Sequence, residues 1–313
     1  MENKYIIYGA GKQGQAYYSF LKQRGLGSSV IGFCDRRFHE IGTIADKQVL
    51  GYDTAKKYNA CFVIAIGDEE TGKDIRKMLG ADNQKYCSID DFAREIQMSR
   101  VEFNRELCAL FHEDSMEEYF INAESDDSVG VFWGDGSVFR RMFLKLNLEN
   151  VIELACGRGR HVPQYLSSAG HITLVDILSK NIAFCQVRFK EQSNITYYQN
   201  DGYTLSALAS STYTALFSYD AMVHFEMMDI YEYLVDIYRV LIPGGKVLLH
   251  HSNNDKNYKA SFNNTKHGRS FMNKDIFAYL AYRAGFEVVE QDVIDWDGYR
   301  GIDCITLLEK PAR

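Results

Sequence analysis

VIELACGRGRHVPQYLSSAGHITLVD, running from Val151 to Asp176, is the segment from which the rest of the chain can be read. It begins with a short apolar run, Val151 to Ala155, of the length of one buried strand. Cys156-Gly157-Arg158-Gly159 follows, a turn whose two glycines let the backbone bend sharply and approach a ligand closely. A helical segment comes next, then a second apolar run, Ile172 to Val175, ending on Asp176. A carboxylate at the tip of the second strand, about 20 residues beyond a glycine turn, is placed to accept from ribose hydroxyls. The turn lacks the third glycine of a dinucleotide fingerprint and carries an acid, Glu153, just ahead of it.

Downstream the alternation of strand and helix continues. A helix is expected over Ser179 to Lys190, a third strand over Ile195 to Tyr198, and a turn at Asn200-Asp201-Gly202. Ala215 to Ser218 reads as a fourth strand leading into Tyr219 and Asp220. Ile230, Tyr233, Leu234, Ile237, Tyr238 and Leu241 then fall on one face of a strongly amphipathic helix. Pro243-Gly244-Gly245 is expected to end it, with Lys246 to His250 as the fifth strand. A last helix near Lys274 to Ala284 precedes two closing strands, around Phe286 to Val289 and Cys304 to Leu308. Repeated strand–helix units predict a mainly parallel sheet covered on both faces.

Upstream a second glycine turn stands between a strand and a helix. Tyr5 to Tyr8 leads into Gly9-Ala10-Gly11-Lys12-Gln13-Gly14, a full G-x-G-x-x-G, and a strand over Val30 to Cys34 ends on Asp35. With Val49-Leu50-Gly51 and the strand Cys61 to Ile66, this predicts a Rossmann-like domain over residues 1–90. Residues 91–127 read as a helical linker whose acids, Glu113, Asp114, Glu117, Glu118, Asp126 and Asp127, form a solvated face. Residues 128–313 form the second α/β domain.

The composition, 46% hydrophobic and 25% charged, is that of an ordinary globular protein, and 313 residues suffice for two cores. A formal net charge of -7 argues against a general nucleic-acid binder, since phosphate neutralisation needs a basic face. No apolar run reaches the roughly 20 residues of a membrane helix, and the opening residues do not resemble a signal peptide. The seven cysteines are scattered and include no Cys-x-x-Cys pair. They predict a reducing, cytoplasmic setting with neither a disulfide framework nor a zinc site.

Glu153-x-x-Cys-Gly-x-Gly, Asp176, Asn200-Asp201-Gly202, the run from Arg239 to Gly245 and the closing strand pair together resemble class I S-adenosylmethionine (SAM) methyltransferases. The resemblance covers the chain from about Phe132 onward and implies a sheet whose last strand is antiparallel. Finer details, Ser218 to Phe225, His251-Ser252-Asn253, Gly268-Arg269-Ser270 and Ile294-Asp295-Trp296, resemble methyltransferases of bacterial surface-polysaccharide and natural-product clusters. It implies a SAM site built from Glu153, Ala155, Gly157, Gly159, Asp176, Ile177, Asp201, Gly202, Ser218 and Tyr219. There Glu153 would serve the ammonium end, Asp176 the ribose and Asp201 the adenine amino group. In that family the segment before the glycine turn, here Val131 to Gly136, often folds over the cofactor; Phe132 and Trp133 are equally suited to a core. The segment Ser28 to Asp90, together with the first glycine turn, resembles the small nucleotide-binding domain of bacterial sugar-modifying acyltransferases. That implies a nucleotide or NAD(P) at Gly9, Gly11, Gly14 and Asp35, or else a scaffold or oligomerisation module with an empty pocket.

Methyl transfer is an in-line displacement, so the protein has to position a nucleophile and remove a proton. Histidine is the natural base for a hydroxyl near pH 7. His224 is the first candidate, with Asp220 four residues earlier as its carboxylate partner. His250 and His251 are the next, one expected to point inward and the other outward by strand alternation. Spacing around these residues matches no established metal site, so no metal is assigned. Arg269 reads either as a surface ion pair or as a contact for an anionic acceptor. The expected activity is O-methylation of a sugar, nucleotide sugar or related small molecule, and a homo-oligomer is among the expected assemblies. The alternatives are a bifunctional protein with a working NAD(P) site and a non-catalytic nucleotide-sensing or assembly protein.

Overall fold

The computed structural model describes residues 3–115 and 117–312, without the side chains at 69, 90, 114, 115, 117, 118, 126 and 266. The expected solvated face is therefore outside the described side chains at Asp114, Glu117, Glu118 and Asp126. The chain divides into two compact units, one of Met1–Met116 with Ser261–Gly268, the other of Glu117–Ala260 with Arg269–Arg313.

The first unit has strands β1 (Tyr5–Tyr8), β2 (Val30–Cys34), β3 (Thr43–Ile44), β4 (Lys47–Leu50), β5 (Cys61–Ile64) and β6 (Tyr86–Ser88) in the order β3-β4-β2-β1-β5-β6. All neighbours are parallel except β3 and β4. The residues expected to form a linker do more than connect. In the Arg100–Ser115 helix, Phe103, Leu107 and Leu110 recur every three or four residues and are buried in this unit's core. Phe103 meets Phe20 of the Lys12–Gln23 helix edge-on, with centroids 5.1 Å apart.

The second unit has strands β7 (Asn150–Leu154), β8 (His171–Asp176), β9 (Ile195–Gln199), β10 (Tyr213–Ser218), β11 (Leu241–Ser252), β12 (Glu287–Trp296) and β13 (Tyr299–Glu309). Their order is β12-β13-β11-β10-β7-β8-β9. β7 to β11 are parallel, and β13 runs antiparallel to both β11 and β12. β11 starts at Leu241, so Pro243-Gly244-Gly245 lies within its span and not before it.

Period-2 alternation sorts this sheet between two cores. Val151, Leu174, Phe217 and Leu248 face one, and Ile152, Val175, Leu216 and Leu249 face the other. The second core is closed by the Met227–Val240 helix, through Ile230, Tyr233, Leu234 and Ile237, and by Phe277 and Ala281 of the Lys274–Ala284 helix. Asn273 caps the latter helix by accepting from the amides of Asp275 and Ile276, and Gly285 ends it at φ 105°. From Val247 to Ser252 both faces of β11 are buried.

Candidate active site

The glycine turn of the second unit begins where β7 ends. Ala155, Gly157 and Gly159 have φ values of 55°, 55° and 73°, all left-handed. Glycine adopts that conformation freely, whereas an alanine there is strained. A side chain at Gly159 would also come within 2.6 Å of the Phe189 ring. Asp176, at the end of β8, holds the turn in place. Its Oδ2 accepts from the Gly157 amide at 2.8 Å, and its Oδ1 accepts from the Leu178 amide at 2.8 Å and Asn181 Nδ2 at 3.1 Å. Burial pushes the Asp176 carboxyl up from its ordinary range despite these three donors. Next to it, the Ile177 carbonyl accepts from Gln199 Nε2 at 3.1 Å.

Glu153 lies beneath the turn. Its Oε2 accepts from the Tyr165 hydroxyl at 2.6 Å, while Oε1 is enclosed with no partner among the described residues. Burial raises the Glu153 carboxyl to about 8. Glu153 is in register with Phe217 of β10, and the next residue, Ser218, has a fully buried Oγ that also has no partner among the described residues. Two neighbouring strand ends therefore present buried polar groups without partners among the described residues, which cost stability unless a ligand supplies the missing hydrogen bonds.

Asp201 is spent locally. It accepts from the amides of Tyr203 and Thr204 at 3.0 and 2.7 Å and from Thr204 Oγ1 at 2.6 Å, beside Gly202 at φ 88°. Burial works against its charge, but these bonds hold its carboxyl below the ordinary range. The preceding residue, Asn200, is the one with spare capacity. Its Nδ2 donates to the Thr204 carbonyl and the Tyr233 hydroxyl, while its Oδ1 is buried with no partner among the described residues. Asn200 carries no signal of this role in the sequence, because a polar residue before Asp-Gly reads as part of the turn.

At the carboxyl ends of β10 and β11 a polar network sits among aromatic rings. Asp220 has φ 57°, and its Oδ2 accepts from the Tyr119 hydroxyl at 2.8 Å and Arg160 Nη2 at 2.9 Å. Burial opposes ionisation there, but the Arg160 charge, the neighbouring His250 and the hydrogen bonds from Arg160 and Tyr119 together outweigh it and pull Asp220 to about 2. The expected Asp220–His224 pair is thus replaced by an Asp220–Arg160 pair. Chain topology brings the arginine of the glycine turn against the β10 loop, whereas Met222–His224 forms a short 3₁₀ turn and not an α-helix with i, i+4 neighbours. His224 itself is partly exposed.

His250 and His251 are both fully buried, which corrects the expected inward–outward split. Each faces a different core. His251 stacks on Phe277 at 3.8 Å, donates from Nδ1 to the Ser252 carbonyl and accepts at Nε2 from Thr306 Oγ1. Burial lowers it to about 3, so it is a neutral packing residue. His250 lies under the Tyr219 ring, with centroids 4.5 Å apart, and bonds Asp303 Oδ2 through Nε2 at 3.1 Å. Arg269 is buried as well, with its guanidinium on both oxygens of Asp303 at 3.0 and 2.6 Å; it is no surface ion pair.

Tyr219 also packs against Phe132 and Phe139 at 4.8 and 4.2 Å. Trp133 Nε1 donates to His161 Nδ1 at 3.0 Å, so the Asp126–Trp133 helix is fastened to the glycine turn through a residue expected to be either lid or core. Among the described residues no group of His, Cys, Asp or Glu is arranged to hold a metal.

Residues 151–245 match a family model described as a methyltransferase domain. The second unit is a class I SAM-dependent methyltransferase domain. Its seven-stranded sheet carries the antiparallel closing pair that the family resemblance implied. The chain is accordingly a SAM-dependent methyltransferase, with SAM as the donor its family implies. Solved structures similar to it include a chain of the complex between the Haloferax volcanii Trm112 methyltransferase activator and a methyltransferase. That match has 14% identity and a TM-score of 0.48, and covers 63% of this chain and 98% of that one. A methyltransferase from Bacillus halodurans has 16% identity and a TM-score of 0.46, covering 56% of this chain and 100% of its own. A SAM-dependent methyltransferase from Mesorhizobium loti has 14% identity and a TM-score of 0.46, covering 56% and 99%. Comparison with curated proteins gives no match. No helix among the described residues is long and apolar enough to cross a membrane.

The first unit repeats the turn chemistry of the methyltransferase domain. Asp35 Oδ2 accepts from the Ala10 amide at 2.9 Å and Oδ1 from the Arg37 amide at 2.9 Å, and the Arg37 guanidinium pairs with the same carboxylate. A side chain at Gly14 would fall 1.9 Å from the Gly9 carbonyl oxygen, and one at Gly9, where φ is 114°, would lie 2.7 Å from the Ala65 carbonyl oxygen. At Gly11 it would meet nothing within 4 Å.

Proposed function

We propose that this methyltransferase acts on a hydroxyl group of an uncharged, sugar-like small molecule. The observation that carries this reading is the charge balance at the ends of β10 and β11. Arg160 is matched by Asp220 and Arg269 by Asp303, so two arginine–carboxylate pairs cancel among the rings of Phe132, Tyr219 and Trp296. Aromatic faces suit the C–H faces of a sugar, and paired polar groups suit its hydroxyls without selecting a net charge. Asp220 supports this role: its Oδ2 is taken, while Oδ1 has no bond among the described residues and is left to accept an acceptor hydroxyl.

Bound SAM supplies a methyl group on a sulfonium for in-line displacement. The residues present fit it. Glu153 Oε1 can receive its ammonium, Ser218 Oγ can receive a further donor, and Gly157 and Gly159 allow close approach of the turn. Asp176 keeps the turn in register and has one lone pair of Oδ2 left for a ribose hydroxyl. Of the three candidate histidines, His224 is the one with solvent access and is assigned the role of base. In the first unit, the open side of Gly11 supports a nucleotide at that turn.

An acceptor screen with labelled SAM, comparing neutral sugars, nucleotide sugars, sugar phosphates and amines, tests the reading. Label in neutral hydroxylated acceptors is expected. Transfer confined to sugar phosphates or amines would sink it.

A further inference from the structure

A single chain of hydrogen bonds runs from Arg269 through Asp303 and His250 to the main chain of Asp220. Asp303 pairs with Ser252 across β11 and β13, and Ser252 shares the face of His250 two residues earlier. Asp303 and His250 are fully enclosed and Arg269 nearly so. Arg269 donates from Nε and Nη2 to the two oxygens of Asp303, which holds the carboxylate in one orientation. Burial opposes the charge on Asp303, but His250 and Arg269 together keep it below the ordinary carboxylate range.

An ionised carboxylate only accepts, so His250 Nε2, at 3.1 Å from Asp303, must carry the ring proton. The other ring nitrogen is then a bare lone pair. It is met at 3.1 Å by the amide of Asp220, which can only donate. Both neighbours thus demand the same tautomer. Tyr219, lying over the imidazole at 4.5 Å, fixes the ring from one side. What the lone pair grips is a left-handed residue, Asp220 at φ 57°, a conformation that a non-glycine residue keeps only when its surroundings impose it.

We propose that Asp303 is a positioning residue: by fixing the His250 tautomer it holds the Asp220 main chain left-handed, with the Asp220 carboxylate turned toward the methyl acceptor. His250, with both nitrogens engaged, is a positioning residue and not the base. This inference rests on the reading of Asp220 as the group that holds the acceptor hydroxyl.

Asp303→Asn in the full chain tests it with little change of shape. An amide has one acceptor oxygen where three donors need one, namely Arg269 Nε, Arg269 Nη2 and His250 Nε2. The arginine charge claims that oxygen and turns the amide NH₂ toward His250. The imidazole proton then moves to Nδ1, where it opposes the Asp220 amide. Nitrogen-15 spectra of histidine-labelled protein read the tautomer directly and require no acceptor, so failure here is distinguishable from failure of the proposed reaction. Expected are an Nε2–H imidazole in the unsubstituted protein and Nδ1–H in Asp303→Asn. Turnover should fall about tenfold or more, the usual scale of misplacing a reacting group, with SAM affinity within about twofold of the original. A tautomer that does not change, or one that changes without loss of turnover, overturns the proposal. If Asp303→Asn does not fold, His250→Asn and His250→Ala decide. The amide oxygen of the first can replace the Nδ1 lone pair, so it should retain about tenfold more turnover than the second. Equal turnover in the two overturns the proposal.

Discussion

Asp35 and Asp176 make the same pair of main-chain hydrogen bonds. Each takes an amide of its own glycine turn on Oδ2, from Ala10 at 2.9 Å and Gly157 at 2.8 Å, and the amide two residues further on through Oδ1. In both units the acid at the strand tip is therefore part of the turn's own structure before any ribose arrives. Asp176→Ala removes acceptors from three donors, two of them main-chain amides. A loss of about 1–3 kcal/mol is expected, visible as a lower urea midpoint, together with weaker SAM binding by calorimetry. Asp176→Asn, which retains one acceptor oxygen, should fall between. Unchanged SAM affinity in the alanine variant would remove Asp176 from the cofactor site.

Glu153 makes SAM binding a proton-releasing event. Burial raises its carboxyl to about 8, so near pH 7 it is mostly protonated in the free protein. An ammonium group beside Oε1 favours the ionised form and pulls the pKa down. Calorimetric titration with SAM at pH 7, repeated in buffers of different ionisation enthalpy, should show release of up to about one proton per SAM bound. Glu153→Gln should abolish that component.

The same group sets a pH dependence of folding, and its sign follows from the direction of the shift. The folded pKa, about 8, lies above the ordinary 4.5, so the stabilising contribution is full at and below the ordinary value and is lost as pH rises through about 8. The span corresponds to several kcal/mol by order of magnitude, at roughly 1.4 kcal/mol per pKa unit. Urea midpoints without SAM should fall between pH 5 and 8 in the natural chain and fall less in Glu153→Gln. Equal slopes in the two would mean that Glu153 is solvated.

Much of this architecture was legible in the sequence because it rests on local periodicities. The short apolar runs beside turns gave β7, β8 and β10, and the spacing of Ile230, Tyr233, Leu234 and Ile237 gave the helix that covers them. The site was legible only where its residues lie close in sequence to a glycine turn. Tyr119, Arg160, Asp220 and Asp303 come together through the order of strands and the antiparallel return of β13, which no spacing encodes. Arg269 read as a surface residue for the same reason: its partner, Asp303, lies 34 positions away on β13. His250 and His251 were misassigned because alternation tells which residues share a face, not whether that face is covered. The Arg100–Ser115 helix read as polar although Phe103, Leu107 and Leu110 carried a helical stripe that places it in the first core.

The histidines should separate by assay. His224→Ala is expected to leave SAM affinity near that of the natural chain while turnover falls about 10²-fold or more, the usual effect of losing a general base. His251→Ala should do the reverse of a catalytic variant. It loses the stack on Phe277 and two buried hydrogen bonds, so the urea midpoint should drop while the turnover of the folded fraction is retained. Near-normal turnover in His224→Ala would exclude it as the base.

Ala155 offers a gain in stability. It holds φ 55° between β7 and the glycine turn, a conformation that costs an alanine about 1–2 kcal/mol relative to its preferred region. Ala155→Gly removes that strain but frees the unfolded chain, which returns about 0.4–1 kcal/mol. The net expectation is a stabilisation of between about 0 and 1.6 kcal/mol, read as a higher urea midpoint. A lower midpoint would mean that packing of the Ala155 methyl outweighs the strain of the turn.

Gly11 and Gly14 decide what the first glycine turn is for. A methyl group at Gly14 would fall 1.9 Å from the Gly9 carbonyl oxygen, so Gly14→Ala should disrupt the Lys12–Gln23 helix where it leaves the turn. At Gly11 the same methyl meets nothing within 4 Å, and φ is -78°, so Gly11→Ala should leave the urea midpoint within about 0.5 kcal/mol. The turn is open where a pyrophosphate would lie against it, and a methyl there would hold the phosphates off the backbone. Titration with NAD and with a uridine nucleotide therefore has a clear reading. Binding by the natural chain that weakens about tenfold or more in Gly11→Ala, at unchanged stability, identifies a nucleotide site. Absence of binding to the natural chain makes the turn a scaffold, with Gly9 and Gly14 retained for the close approach of backbone to backbone.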